Sequence, residues 1–218
     1  MRRLLVLALV AASCSAGAAD TSAPSNPGTT ASSTSVPESI EPVTISLSLY
    51  VVTEADAEDD SPRSSARDEN EVTLIAERIQ EIWRSAGIVF EPLNVSTIEV
   101  PGAVIDSLIA GDARPFLDEA GNTFAVPEAG FINGFYVPFA GGANGFTPLT
   151  SRVFFVIDEP SVHDERVSSH EIGHILGLQH ELDDAERLMF SGTNGMNLTD
   201  TEITVARYNA EGILNGTR

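Results

Sequence analysis

Cysteine, basic residues and long apolar runs are scarce in this chain of 218 residues. The single cysteine, Cys14, cannot form an internal disulfide bond. Twelve arginine and lysine residues face 32 aspartate and glutamate residues, and the resulting net charge of −20 argues against nucleic acid as a partner. Aromatic residues make up only 6% of the chain, but 42% of it is apolar, as in ordinary globular proteins.

The N-terminus has the pattern of an export signal. Two arginines precede an apolar stretch over residues 4–12, which is too short to span a bilayer as a helix. The small residues that end at Cys14 resemble the lipobox of bacterial lipoproteins, although Ala11 stands where leucine is commoner. The alternative is cleavage after Ala18, which would release a secreted protein. We expect a cell-envelope lipoprotein whose membrane contact is its lipid anchor, or else a secreted protein.

The composition divides the chain into three segments. Residues 1–14 are the predicted signal peptide. Residues 15–42 consist mainly of Ser, Thr, Ala, Pro and Gly, and they cannot bury enough apolar surface to offset the entropy of ordering. We therefore predict a flexible tether there and a single ordered domain over residues 43–218.

The ordered domain is predicted to open with a strand, a helix and a second strand. Val43–Leu49 alternates apolar and small polar residues with the period of a strand. Between Val72 and Trp83 apolar residues recur at steps of three and four, which predicts an amphipathic helix that Gly87 ends. Ile88–Phe90 is extended again, so this order predicts a parallel strand pair with a helical crossover.

Four further elements are predicted in the following part of the chain. They are a short helix over Ala103–Ala110, strands over Phe131–Phe139 and Arg152–Ile157, and an edge strand over Phe146–Leu149.

Three of the four histidines lie in one short segment. His170 and His174 are one helical turn apart, so both imidazoles leave the same helix face and can hold one metal ion. Zinc is the expected ion, because three neutral imidazoles around a tetrahedral ion leave one position open for water. The third ligand, His180, needs a chain reversal, and Gly177 can adopt the positive φ that such a turn requires.

Glu171 directly follows the first predicted ligand. Its carboxylate can reach a metal-bound water without being a ligand itself. The predicted role of Glu171 is that of a general base, which takes a proton from this water as it attacks a carbonyl and passes it to the leaving amine.

The segment from His170 to His180 resembles the metzincin signature H-E-x-x-H-x-x-G-x-x-H at every specified position. Metzincins place a methionine turn beneath the zinc, and Met189 is the residue that looks like this methionine. Met196 is the weaker candidate, because the residues after it look like the start of a C-terminal helix. Thr199 would be the N-cap of that helix, with Glu202 in the capping-box position.

The resemblance implies an α/β (α+β) domain of the metzincin type. Its sheet would be twisted and mixed, largely parallel with an antiparallel edge strand. Two long helices would pack on the sheet, one of them the active-site helix, with the C-terminal helix after it. The implied function is that of a zinc-dependent endopeptidase acting on extracytoplasmic proteins. Its protein or peptide substrate would extend along the edge strand, and we expect a monomer.

The subfamily stays open. Glu181 follows the third histidine as in astacins, but Ser191 stands where the astacin turn has tyrosine. Because Cys14 is the only cysteine, the cysteine switch of matrixins is excluded. Two other functions stay open as well: a zinc-stabilised binding module that has lost catalysis, and a non-peptidase zinc hydrolase. Glu171 argues against the binding module, since a structural zinc site needs no general base.

Four further polar residues are weaker candidates. His163 lies outside the metal-binding pattern and is interpreted as a solvated or capping residue. Asp158, Asp183 and Asp184 could ligate Ca²⁺ through oxygen, as metzincins often do, but solvated loop carboxylates are the default and nothing else in the sequence supports calcium.

Overall fold

The computed structural model describes residues 41–57, 61–123, 131–140, 142–148 and 151–217. The predicted signal, Cys14 and nearly all of the predicted tether lie outside the described residues. None of the helices in the described part of the chain combines the length and apolar character needed to cross a bilayer. The elements, in chain order, are β1 (Val43–Glu54), α1 (Glu69–Arg84), β2 (Ile88–Val100), α2 (Gly102–Ile109), α3 (Arg114–Thr123), β3 (Phe131–Val137), β4 (Gly145–Phe146), β5 (Val153–Ile157), α4 (Asp164–Ile175) and α5 (Asp200–Leu214).

The strands form a five-stranded sheet in the order β2-β1-β3-β5-β4. β1 pairs in parallel with both β2 and β3, and β3 pairs in parallel with β5. β4 is antiparallel to β5 and lies at the end of the sheet. The largely parallel, mixed sheet with an antiparallel edge strand is therefore confirmed, as is the strand, helix, strand order of its first unit.

The second strand is longer than the sequence predicted, because its pairing with β1 continues past a proline. The register shifts between Ile45 and Leu47 on β1, opposite the position of Pro92. Proline lacks the N–H group that a ladder requires, so it is tolerated on an edge strand or at a bulge. β2 offers both, and the ladder resumes at Leu93 and runs to Val100.

The first face of the sheet, called here the helical face, carries α1, α4 and α5. Alternate β1 residues point to it and are nearly inaccessible to solvent, as a period of two predicts. The capping box of α5 is confirmed, since Thr199 accepts from the Glu202 amide and Glu202 accepts from the Thr199 amide. The helices α1 and α4 are the two long helices expected on the sheet, and the expected C-terminal helix, α5, covers the same face. Its core includes Ile45, Leu47, Leu49, Val51, Val72, Ile79, Trp83, Ile132, Val156, Ile172, Ala206 and Ile213.

The opposite face, called here the aromatic face, is covered by α2 and α3. Phe116 of α3 packs edge-on against Phe135 of β3 and Phe155 of β5, with ring centroids 5.0 and 5.1 Å apart. Helix α3 was not predicted, because its two large apolar residues, Phe116 and Leu117, are adjacent and show no helical spacing. The sequence shows only that Pro115 is allowed in a first helical turn.

A buried arginine fixes the start of α4 on the helical face. The guanidinium of Arg67 contacts Glu71 of α1 and Asp164 of α4, each at 2.6 Å, and it donates to the carbonyl of Ile157 at the end of β5. It also lies 5.5 Å from the ring centroid of Tyr136. These contacts join α1, β3, β5 and α4, so they set where α4 begins and how it crosses the sheet.

Candidate metal centre

Helix α4 and the turn that follows it bring the three predicted histidine ligands together. His170 and His174 lie one turn apart in the last part of α4. The helix ends at Ile175, and Gly177 has a φ of +84°, which reverses the chain as the sequence predicted. His180 thereby returns to the two helical imidazoles, with its ring centroid 5.2 Å from that of His170 and 4.7 Å from that of His174.

The spacing of the ring nitrogens fits a single tetrahedral ion. One ring nitrogen from each of His170, His174 and His180 lies within 4.8 Å of the others. The Nε2 atoms of His174 and His180 are 3.2 Å apart. Two ligands at the zinc–nitrogen distance of 2.0–2.1 Å and a tetrahedral angle would be about 3.3 Å apart. The His174–His180 pair therefore has the spacing of two zinc ligands, and the ligand nitrogen of His170 lies within 4.8 Å of both.

The remaining nitrogens of the two helical ligands contact backbone carbonyls. His170 Nδ1 lies 2.8 Å from the Leu188 carbonyl oxygen, and His174 Nδ1 lies 3.0 Å from that of Leu178. A carbonyl can only accept, so each Nδ1 carries the proton and each Nε2 keeps a free lone pair. Such outer hydrogen bonds are typical of histidines that ligate metals, because they fix the tautomer and the ring orientation.

The surroundings keep the three imidazoles neutral. Burial, together with a smaller effect of the Arg166 charge, lowers the pKa of His170 to about 3. Burial also lowers the pKa of His174 and that of His180. A metal ion binds the neutral ring, so these environments favour the ligand form at neutral pH.

Met189, the predicted methionine of the turn, packs closely against helix α4. Its side chain is fully buried, and a Cβ atom added at Gly173 would lie 2.5 Å from its Sδ atom. Only glycine at this point of α4 allows the sulfur so close to the helix. The backbone carbonyl of Met189 accepts from the Glu181 amide at 2.9 Å, which ties the methionine turn to the residue after the third histidine.

A second buried arginine, Arg166, holds the same turn from the side of α4. Its Nη2 donates to the carbonyls of Leu188 at 2.9 Å and of Phe190, the two residues on either side of Met189. Sequence reasoning did not single out Arg166. Its position four residues before His170 would have placed it on the ligand-bearing face of the helix.

Glu171 is buried between α4 and the edge strand. Thr147, which follows β4, donates its Oγ1 hydrogen to Glu171 Oε2 at 2.9 Å. Burial raises the pKa of Glu171 to about 7, against the opposing effect of this hydrogen bond and of the Arg166 charge. A Cβ atom at Gly145 would lie 3.1 Å from Glu171 Cγ, so the strand packs closely against the carboxylate side chain. No sequence signal points to Thr147.

The edge strand itself is shorter than predicted. The sequence predicted an edge strand over Phe146–Leu149, whereas β4 comprises Gly145 and Phe146. Thr147 turns its hydroxyl to Glu171 instead, and Pro148 has no N–H group with which to continue the ladder. Leu149 lies outside the described residues.

The weaker sequence candidates do not join the centre. In the described ranges, His170, His174 and His180 are the one group of three side chains able to share a metal ion. His163 occupies the N-cap position of α4 without a capping side-chain bond, and its side chain is 60% exposed. Met196 is half-buried in the loop before α5.

The three calcium candidates also lie outside any such group. Asp158 accepts from Ser65 Oγ and from the Ala66 amide, and its carboxylate lies 3.7 Å from Arg67 Nε. Asp183 and Asp184 are exposed. Asp158 thus has a structural role in joining the loop before α1 to the end of β5.

Comparison with solved structures identifies the fold. The chain is similar to archaemetzincin from Methanopyrus kandleri, with a TM-score of 0.52 over 80% of this chain and 99% of that one, at 13% identity. It is similar to metalloproteinase-II from Bacteroides fragilis, with a TM-score of 0.50 over 79% of this chain and 55% of that one, also at 13% identity. No protein-family model matches the sequence, and no curated protein matches it. At this identity the likeness confirms the predicted zincin-type fold and shows the fold alone.

Proposed function

We propose that this protein is a zinc-dependent endopeptidase. The observation that carries the proposal is the cluster of three neutral imidazole nitrogens within 4.8 Å of one another, with Glu171 directly after the first of them. Three protein ligands leave a tetrahedral ion one open position, as in catalytic zinc sites, whereas structural sites are closed by a fourth protein ligand. The two solved structures of similar fold are by name metallopeptidases.

His170, His174 and His180 would hold the ion. Bound zinc would supply Lewis-acid chemistry, polarising a carbonyl and acidifying a water molecule. Glu171 would accept the proton of the attacking water and return it to the leaving amine. Thr147 binds Oε2 of Glu171, so we assign the proton to Oε1. A carboxylate with a pKa near 7 both accepts and donates protons at neutral pH, and a nearby cation favours its ionised form.

The edge of the sheet supports an extended peptide as the substrate. β4 lies at the end of the sheet and pairs only with β5 among the described strands. Its outer edge can add a further strand through main-chain hydrogen bonds, which suits a peptide and does not suit a compact small molecule. Because Thr147 directly follows β4 and its hydroxyl contacts Glu171, a peptide added there would pass close to the general base.

The decisive experiment is the digestion of an unfolded protein and a broad peptide library by metal-loaded protein. We expect cleavage that stops with a chelator, returns with zinc, and falls by roughly 10²–10⁴-fold in Glu171→Gln, which keeps the shape and loses the proton acceptor. Metal content should be unchanged in this variant. Cleavage that survives both treatments would falsify the proposal.

The two rival functions give different results in the same experiment. A binding module would retain zinc and cleave nothing in the library. A non-peptidase hydrolase would spare every peptide and hydrolyse simple esters or non-peptide amides with the same dependence on zinc and Glu171.

We further propose that the enzyme acts outside the cytoplasm, on the basis of the N-terminal sequence alone. The expectation is that Cys14 carries a lipid. Metabolic labelling with a radioactive fatty acid in a bacterial host should label the wild type and leave Cys14→Ser unlabelled. Equal labelling of both, or of neither, would remove the lipid anchor from the proposal, and N-terminal sequencing of the mature protein would then locate the cleavage.

A further inference from the structure

Two of the contacts described above meet at one atom. The carbonyl oxygen of Leu188 receives both Nη2 of Arg166, at 2.9 Å, and Nδ1 of His170, at 2.8 Å. Arg166 also reaches the carbonyl of Phe190, so its guanidinium spans the backbone around Met189. The position of this carbonyl therefore determines both the course of the methionine turn and the orientation of one metal ligand.

Arg166 is well suited to hold that backbone in place. It is 3% exposed and lies on α4 itself, four residues before His170. A guanidinium is a fixed planar fork, and one nitrogen of it, Nη2, donates to both carbonyls here, which constrains two acceptors at once. Hydrogen bonds from a charged donor are also stronger than neutral ones. Arg166 and His170, which both contact the Leu188 carbonyl, are thus held on the same helix.

The direction of the change in metal affinity on removal of Arg166 tests its role, because its charge and its hydrogen bonds have opposite effects on that affinity. A buried positive charge beside the three imidazoles repels a divalent cation, and its removal would by itself strengthen metal binding. A positioning effect acts in the other direction, because loss of the fork frees the carbonyl that orients His170. Partners that orient metal ligands typically contribute about 10–100-fold in affinity.

We infer that Arg166 is a positioning residue for the metal centre, which fixes the Met189 turn and, through the Leu188 carbonyl, the ring of His170. The inference rests on the proposed function in that it requires the three histidines to bind zinc. It adds that tight metal binding also requires Arg166, which is neither part of the metzincin-like signature nor one of the three histidines.

The test measures the affinity of the purified full-length protein for Zn²⁺ and Co²⁺ by competition with a chelator of known affinity. Arg166→Met should weaken zinc binding about 10–100-fold and shift the visible absorption of the cobalt form. Arg166→Lys should lose less, because an ammonium keeps the charge and its N–H donors but lacks the planar, preorganised geometry of the guanidinium.

Arg207→Met is the matched control. Arg207 also bridges two backbone carbonyls, those of Gly87 at 2.6 Å and Glu41 at 2.7 Å, and it does so at the start of β1, away from the ligands. We expect its loss to lower thermal stability without changing zinc affinity or the cobalt spectrum.

Each result decides the question. Wild-type affinity or tighter binding in Arg166→Met overturns the inference, as does an equal loss of affinity in Arg207→Met. If Arg166→Met does not fold, Arg166→Lys decides: a lower affinity and an altered cobalt spectrum support the role, and wild-type values for both overturn it. If the wild-type protein binds no metal, the proposed function itself is refuted. This result differs from every result that overturns only the role of Arg166.

Discussion

The two faces of the sheet differ in what they bury. In the described part of the chain, the helical face holds four buried basic or acidic side chains, those of Arg67, Arg166, His170 and Glu171. The aromatic face is a row of stacked rings from β1 to the edge strand. Centroid distances are 5.1 Å for Tyr50–Phe135, 5.5 Å for Phe135–Phe155 and 4.7 Å for Phe146–Phe155.

The two faces of this one sheet therefore have different roles. Stacked rings need no polar partners, so the aromatic face can be stiff and insensitive to charge. Buried ionisable groups must be hydrogen-bonded or paired. Those on the helical face form such bonds to neighbouring helices, strands and turns, so they connect these elements. We expect substitutions of the buried ionisable groups next to the histidines to change the metal centre, and substitutions on the aromatic face to change stability alone.

The largest effect is expected from loss of a ligand. His170→Ala should reduce zinc affinity by more than about 100-fold, beyond the usual effect of an outer-sphere partner, because it removes a coordinating nitrogen. The measurement is zinc content after dialysis, beside residual peptidase activity. His163→Ala is the control, since that side chain is 60% exposed at the helix start and should be silent. Retention of zinc in His170→Ala would contradict the assigned centre.

A smaller effect is expected at the edge strand. Thr147→Val removes the hydrogen bond to Glu171 Oε2 and should lower kcat by about tenfold with KM unchanged, the value of one hydrogen bond to a charged group. Thr147→Ser should restore most of the rate, and neither variant should change zinc affinity.

Thr73→Val is the matched control for this prediction. The Thr73 hydroxyl donates within α1 to the Glu69 carbonyl, away from the centre. Equal rates in Thr147→Val and the wild type would show that the carboxylate is held by its packing alone.

The smallest effect on the metal centre is expected from the aromatic face. Phe116→Leu should lower the free energy of unfolding by roughly 1–3 kcal/mol, since it removes two edge-on ring contacts of about 0.5–1.5 kcal/mol each. Chemical denaturation would measure this loss. Zinc affinity and kcat of the folded variant should equal those of the wild type; a matching loss of either would show that the two faces are coupled.

The elements predicted well are those with a strong local period. Strand β1 alternates, and α1 has apolar residues at helical spacing, so local sequence alone indicates both. Helix α3 and most of β2 lack such a signal, and they form because a neighbouring surface accepts them: Phe116 enters the aromatic face, and β2 follows the ladder of β1 past Pro92. Tertiary pairing of this kind overrides weak local propensity.

At the site the same distinction holds for single residues. The sequence by itself determined that His170 and His174 share one helix face, that Gly177 allows the chain to reverse, and that Glu171 follows the first imidazole. Those are properties of neighbouring positions on one helix and its cap, where spacing and conformational freedom are enough.

Only the tertiary structure decided which groups surround those residues. The Leu188 carbonyl between Arg166 and His170, the Thr147 hydroxyl on Glu171, and the approach of Met189 to Gly173 each join segments distant along the chain. No local pattern encodes such contacts, because they depend on where the edge strand and the methionine turn come to rest against α4. Packing of the whole helical face sets that position.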